Sequence, residues 1–261
     1  MELDGRTCLV TGANRGIGHA IAGRLAEEPV RLLVGVRELD RYVPPAPRGE
    51  ARATEILPVR IDLSSRQSIE DSIAELGDEL ERIDVLVNNA GEFTGGLLAE
   101  TDVDDIYATV QANLTGWLHL TRRVLPQMLA RGEGKIVNQS SIVGYAHFPG
   151  TTVYGATKAG VSAMTHALRR ELDDSGVTTL ELITGGYDTE MLQSAAAQLE
   201  RHTDPSKWEF RDPDDWADKI VDAIKSDEER LEPGGKSQLA RFAAKAPNAV
   251  LDAITGRGFE R

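Results

Sequence analysis

The chain has 261 residues, 41% of them hydrophobic, and a formal net charge of −13. That length can bury a sizeable core in one or two domains, and the acidic excess argues against nucleic acid as a partner. No apolar run reaches the ~18 residues of a membrane-spanning helix, and the one cysteine, Cys8, has no partner for an internal disulfide.

In chain order, Arg6 to Val10 is short and apolar, which predicts a buried strand. Thr11-Gly12-Ala13-Asn14-Arg15-Gly16-Ile17-Gly18 follows at once. Glycines here permit a tight turn and the close approach of a ligand. Ile17, Ala20, Ile21 and Leu25 then recur at helical spacing. A helix N-terminus offers free N–H groups to a pyrophosphate. Three glycines alone equally suit a plain turn; the strand before and the helix after favour a phosphate cradle. A second strand, residues 31–36, ends on Val36 and Arg37, where an NAD site usually has an acid for the ribose 2′-OH. Arg15 and Arg37 match a 2′-phosphate in shape and charge; read plainly, both are solvated surface charges. Glu38 and Asp40 are near enough to keep NAD open. Val43-Pro44-Pro45-Ala46-Pro47 cannot be helix and predicts an irregular connection.

A third strand, 56–61, leads into Asp62-Leu63-Ser64, and a fourth, 83–88, into Asn88-Asn89-Ala90-Gly91. Asn113 falls in the next predicted helix. A fifth strand at 134–138 precedes Ser140 and Ser141. Tyr154 and Lys158 then share one helix face, and a sixth strand follows at 177–183. Strands alternating with helices predict an α/β fold, a doubly wound parallel sheet with helices on both faces. A free tyrosine titrates near ~10. A lysine about 4 Å from it favours phenolate by on the order of 4 kcal/mol at an effective dielectric of ~20, which moves the phenol towards the working range. Alone, this pair reads best as a buried tyrosine on an ordinary helix; beside the cradle and Ser141 it reads as an acid–base pair.

These motifs, in this order from about Leu3 to Met191, resemble the short-chain dehydrogenase/reductase family, whose single-domain members carry the T-G-x-x-x-G-x-G turn and a Y-x-x-x-K pair. The resemblance implies a Rossmann-like fold and hydride transfer between NADP(H) and a carbonyl or alcohol substrate. It makes Tyr154 the general acid/base. Ser141, thirteen residues earlier, would bond the substrate oxygen. Lys158 would also bind the nicotinamide ribose, and Asn113 would hold a relay water. Cofactor contacts are expected at Gly12, Asn14, Arg15, Gly16, Ile17, Gly18, Arg37, Asp62, Leu63, Asn89, Ala90, Gly91, Tyr154, Lys158, Gly185, Tyr187 and Thr189. In the family, basic residues at the places of Arg15 and Arg37 accompany NADP, so NADP is expected over NAD. The rivals are an NAD-dependent alcohol dehydrogenase and a non-catalytic dinucleotide-sensing protein on the same fold.

The chain departs from the family pattern after the sixth strand. Thr184-Gly185-Gly186-Tyr187-Asp188-Thr189 lacks the usual proline, and Gly186 is expected to add freedom and loosen cofactor closure. Residues 188–212 are expected to form a substrate lid, and Glu92, Phe93, Ile142, Phe148 and Tyr187 to wall a mixed, partly apolar pocket. The whole chain, 1–261, is read as one domain ending in a helical, locally basic tail at 236–261. That tail is expected to pack on its own domain or a neighbouring subunit; contact with a membrane surface is the less favoured reading. The resemblance implies pairing through the helices carrying Asn113 and Tyr154, so at least a homodimer is expected. Cys8 reads as core, and His19 and His166 as structural. No metal site is expected among five scattered histidines, and the absence of a basic or apolar leader leads us to expect a cytoplasmic protein.

Overall fold

The computed structural model describes residues 1–234; the expected tail at 236–261 lies outside the described residues. Among the described residues there are seven strands: β1 (Thr7–Thr11), β2 (Arg31–Val36), β3 (Glu55–Arg60), β4 (Ile83–Asn88), β5 (Gly134–Ser141), β6 (Val177–Thr184) and β7 (Arg230–Leu231). The helices are α1 (Gly16–Leu25), α2 (Arg66–Leu76), α3 (Glu79–Arg82), α4 (Val103–Val110), α5 (Gly116–Arg131), α6 (Val143–Ala146), α7 (Thr152–Glu171), α8 (Glu190–Leu199) and α9 (Pro213–Lys225). The strands run parallel in one sheet, in the order β3-β2-β1-β4-β5-β6-β7.

Successive strand residues face opposite sides, so each central strand feeds two cores. Val10, Val87, Val137 and Leu182 pack with α1 and α9. Leu9, Leu86 and Ile136 pack with α2, α5 and α7. Trp216 and Trp117, each fully buried, anchor the two sides; truncating either to alanine costs about 3–5 kcal/mol. Strand order reverses between β1 and β4, which opens a crevice at the strands' carboxyl ends.

The six expected strands are present. The seventh, β7, is an addition to that reading, and β5 runs on through Ser141. The proline-rich connection is irregular beyond a 3-10 turn at Leu39–Arg41. It lies against α1, where a Cβ on Gly23 would sit 2.8 Å from the Ala46 oxygen. Asn113 lies not in a regular helix but in a π-turn, Gln111–Thr115, joining α4 to α5.

Candidate active site

The crevice is a cleft of about 1040 Å³ running from the glycine turn to Ser141 and Tyr154. At its first end the chain leaves β1 and reverses into α1. Gly12 has φ +64°, and a Cβ there would lie 2.7 Å from the Ala90 Cα; one on Gly18 would lie 2.3 Å from the Gly12 oxygen. Any side chain at either position would push β4's end or α1 off the turn. Arg15 makes no side-chain cap at the start of α1, so the helix presents its first N–H groups to the cleft. Asn89 fastens the turn from the other side, its Nδ2 donating to the Thr11 oxygen at 2.9 Å. The Thr11 hydroxyl receives the N–H groups of Asn89 and Ala90, both at 3.0 Å.

Three arginines border this end of the cleft: Arg15, Arg37 and Arg41. Arg15 pairs with Glu190 at 2.6 Å, Arg37 with Glu38 and Glu92 at 3.7 Å each, and Arg41 with Glu38 at 3.0 Å. Arg41 escaped the sequence reading because only the 3-10 turn brings it back to the glycine loop. Asn14 is committed elsewhere: its Nδ2 donates to the Arg41 oxygen and its Oδ1 accepts from Val43 N, both at 2.6 Å. Its side chain secures the irregular connection. Asp62 and Leu63 line the cleft beside Ile61, Asp62 holding the Ser64 N–H at 3.0 Å.

At the other end, β5 delivers Ser141 and α7 delivers Tyr154 and Lys158. Ser141 Oγ accepts from Val143 N at 3.3 Å and donates to the Thr184 oxygen at 3.5 Å, and it lines the cleft together with the Tyr154 phenol. Ser140 points elsewhere, its hydroxyl donating to the Lys158 oxygen at 3.3 Å. Lys158 is 3% exposed. Its Nζ donates to the Gln139 backbone oxygen at 2.8 Å, lies 4.4 Å from the centre of the Trp117 ring and 5.6 Å from that of Tyr154. Burial lowers the Lys158 amine to about 7 and raises the Tyr154 phenol to about 12, the neighbouring Ser141 hydroxyl opposing the latter. The expected lowering of the phenol by an adjacent ammonium is therefore outweighed here. Desolvation disfavours charge on both groups, and the amine is aimed at a carbonyl rather than at the phenol.

Asn113, fully buried, has both ends of its amide in use. It accepts from Glu92 N and donates to the Glu92 oxygen at 2.8 Å each, and reaches Thr157 Oγ1 at 3.3 Å. Its side chain holds the strand-end loop in place. Trp117, which sequence reasoning did not single out, donates its indole N–H to the Ala90 oxygen at 2.8 Å. One side chain so connects the Asn89-Ala90-Gly91 loop to Lys158.

Over the cleft stands the excursion from Asp188 to Phe210. Its stem is closed by Asp188 N donating to the Arg211 oxygen at 2.7 Å, and Arg211 N to the Gly186 oxygen at 3.3 Å. Gly186 is not a point of looseness. A Cβ there would lie 2.2 Å from the Glu209 oxygen, so the glycine is what lets the stem close. Thr189 caps α8, accepting from Leu192 N at 3.2 Å. Phe93, Ile142 and Phe148 wall the cleft as expected, with Met191, Leu192 and Trp208 added from the excursion. Phe93 meets the Tyr154 ring at 5.0 Å. Tyr187 borders the cleft, but its ring is buried against Trp216 at 5.3 Å and does not form an open wall. Gly185 and Gly91 also border the cleft.

A nicotinamide dinucleotide fits these residues. The uncapped helix start and the arginines suit its phosphates, the glycine turn permits close approach, and Gln139 leaves a buried amide oxygen without a partner among the described residues.

The model of the short chain dehydrogenase family matches residues 6–200. The NADP-dependent 3-hydroxy acid dehydrogenase of Schizosaccharomyces pombe is 35% identical over 192 residues, 72% of this chain and 74% of that protein. Glycine betaine reductase ATRR of Emericella nidulans is 33% identical over 228 residues, 87% of this chain, and the chain spans only 18% of its length. Among solved structures, a short-chain dehydrogenase from Sphingobium yanoikuyae in complex with NADPH is 26% identical, with a TM-score of 0.72 over 96% of this chain and 92% of that one.

Proposed function

The chain belongs to the short-chain dehydrogenase family, and from that premise we propose that it is an NADP(H)-dependent oxidoreductase interconverting a carbonyl and an alcohol. The observation that carries this reading is the convergence of Ser141, Tyr154 and Lys158 at one end of a cleft whose other end is an arginine-flanked glycine turn. The nicotinamide, when bound, supplies or takes the hydride. Ser141 holds the substrate oxygen and stabilises charge developing on it. Tyr154 gives that oxygen its proton in reduction and takes it back in oxidation. Lys158 binds the nicotinamide ribose. The family resemblance would place the relay water at Asn113, where the π-turn, rather than the committed side chain, is the feature able to offer it a backbone group.

For cofactor choice, Arg15 and Arg37 are read as the 2′-phosphate ligands, with Arg41 beside them. Glu38 is the carboxylate an NAD site would use, and it favours the second reading, an NAD-dependent alcohol dehydrogenase. Two arginines already neutralise it, so NADP remains the assignment. Fluorescence titration of the purified protein with NADPH and NADH tests this. NADPH should bind more tightly, and Arg15→Ala with Arg37→Ala should weaken it roughly 10–100-fold while leaving NADH nearly unchanged. Tighter binding of NADH by the unaltered protein would overturn the assignment. Tyr154→Phe should keep NADPH affinity and lose a factor of about 10²–10⁴ in turnover of a carbonyl substrate.

A further inference from the structure

We propose that the Gln139 side-chain carboxamide is a direct contact for the nicotinamide half of the bound cofactor. The inference rests on the dinucleotide reading above and extends it to a residue outside the catalytic set.

On β5, Val137 and Gln139 face the same side of the sheet. Val137 packs into the core shared with α1 and α9, as does Leu182, the residue on β6 paired with Gln139. The apolar file on this face thus ends in a carboxamide where another aliphatic side chain would continue the packing. Gln139 is 6% exposed, it borders the cleft, and its buried Oε1 has no hydrogen-bond partner among the described residues. A buried polar atom left unpaired is costly, and natural folds keep few of them. The backbone at this residue is in use, since Gln139 O accepts from Lys158 Nζ. The side chain alone is uncommitted.

Its position fixes which part of a dinucleotide can satisfy it. Gln139 lies one pleat before Ser141 and beside Lys158, at the reaction end of the cleft and away from the Arg15, Arg37 and Arg41 cluster. A carboxamide offers both donors and an acceptor, and a flip of the group exchanges its ends. Both the ribose hydroxyls and the ring carboxamide of a nicotinamide nucleotide are complementary to it.

The test is Gln139→Leu, apolar and of similar volume, with Gln139→Met as a second variant should leucine fail to fold. Three quantities are measured: melting temperature, affinity for NADPH, and affinity for 2′,5′-ADP, which carries only the adenosine half. The expected result is an unchanged or higher melting temperature, NADPH binding weakened roughly 10-fold, and unchanged binding of 2′,5′-ADP. Unaltered NADPH affinity would overturn the proposal. So would equal weakening of both ligands, which would mark a general disturbance of the cleft. If the unaltered protein prefers NADH, the same comparison runs with NADH and AMP. If it binds no nicotinamide nucleotide, the dinucleotide reading falls and this contact with it.

Discussion

Lys158 carries an electrostatic cost that pH can reveal. Its amine is lowered from the ordinary 10.5 to about 7 by burial. Below about 7 both the folded and unfolded chains hold the proton, so the full penalty for burying the ammonium is present. Between about 7 and 10.5 the unfolded chain binds a proton that the folded one does not, so stability rises with pH; above that range the penalty is gone. At about 1.36 kcal/mol per tenfold step the penalty is roughly 3–5 kcal/mol. Lys158→Met removes it, along with the bond to Gln139. The stability advantage of the methionine variant over the unaltered protein should therefore shrink by that amount as pH rises from 7 to 10.5, measured by chemical denaturation. An advantage independent of pH would show that the amine is not desolvated as described. The phenol of Tyr154, raised from 10 to about 12, withdraws stability as pH rises between those values, in both proteins alike, and so drops out of the difference.

Glu181 on β6 is fully buried and joins three elements. It accepts from the Tyr145 phenol of α6 at 2.6 Å, and meets His166 of α7 and Arg230 of β7 at 3.1 Å each. Removing one member strands the others in a low-dielectric setting. Glu181→Ala is expected to cost about 3 kcal/mol in thermal or denaturant unfolding, and Glu181→Gln distinctly less. Equal, small losses would mean the network contributes little. This hub also explains what sequence could and could not disclose. His166 is read from sequence as structural and lies beside Glu181 and Arg230, but neither that partner nor the pairing of β7 is legible. Arg230–Leu231 is too short and too polar to display a strand pattern. β1 to β6 are legible because a sheet covered on both faces needs apolar residues on both, and three prolines mark the irregular connection. The π-turn at Asn113 leaves no pattern, being a slip in hydrogen bonding rather than in composition. In the candidate site, Ser141, Tyr154 and Lys158 are singled out by the family resemblance rather than by spacing alone. Arg41 and Gln139 are not, since only the tertiary fold brings them to the cleft, and neither is Trp117, which the fold sets against Lys158 and Ala90.

At the scale of the molecule, the exposed apolar surface is unevenly placed. Leu98, Val103, Tyr107, Val110, Leu118 and Leu129 all lie on α4, α5 and the turn before them, Tyr107 being 73% exposed. Val103, Tyr107 and Val110 form one helical stripe. A stripe of this kind is where a second copy of the chain would be sought. Sedimentation equilibrium should find at least a dimer, and Tyr107→Lys with Leu118→Glu should shift it towards monomer without unfolding it. A monomer before any substitution would rule this face out. Among the described residues no helix is long and apolar enough to cross a membrane. The stem at Gly186 and Arg211 has a bearing on descent. A segment that departs and returns through adjacent, hydrogen-bonded positions can be lengthened or rewritten at small cost, because closure entropy grows only slowly with length. Inherited changes of length or sequence between Gly186 and Arg211 would therefore reach the wall of the cleft while leaving the sheet and the glycine turn in place.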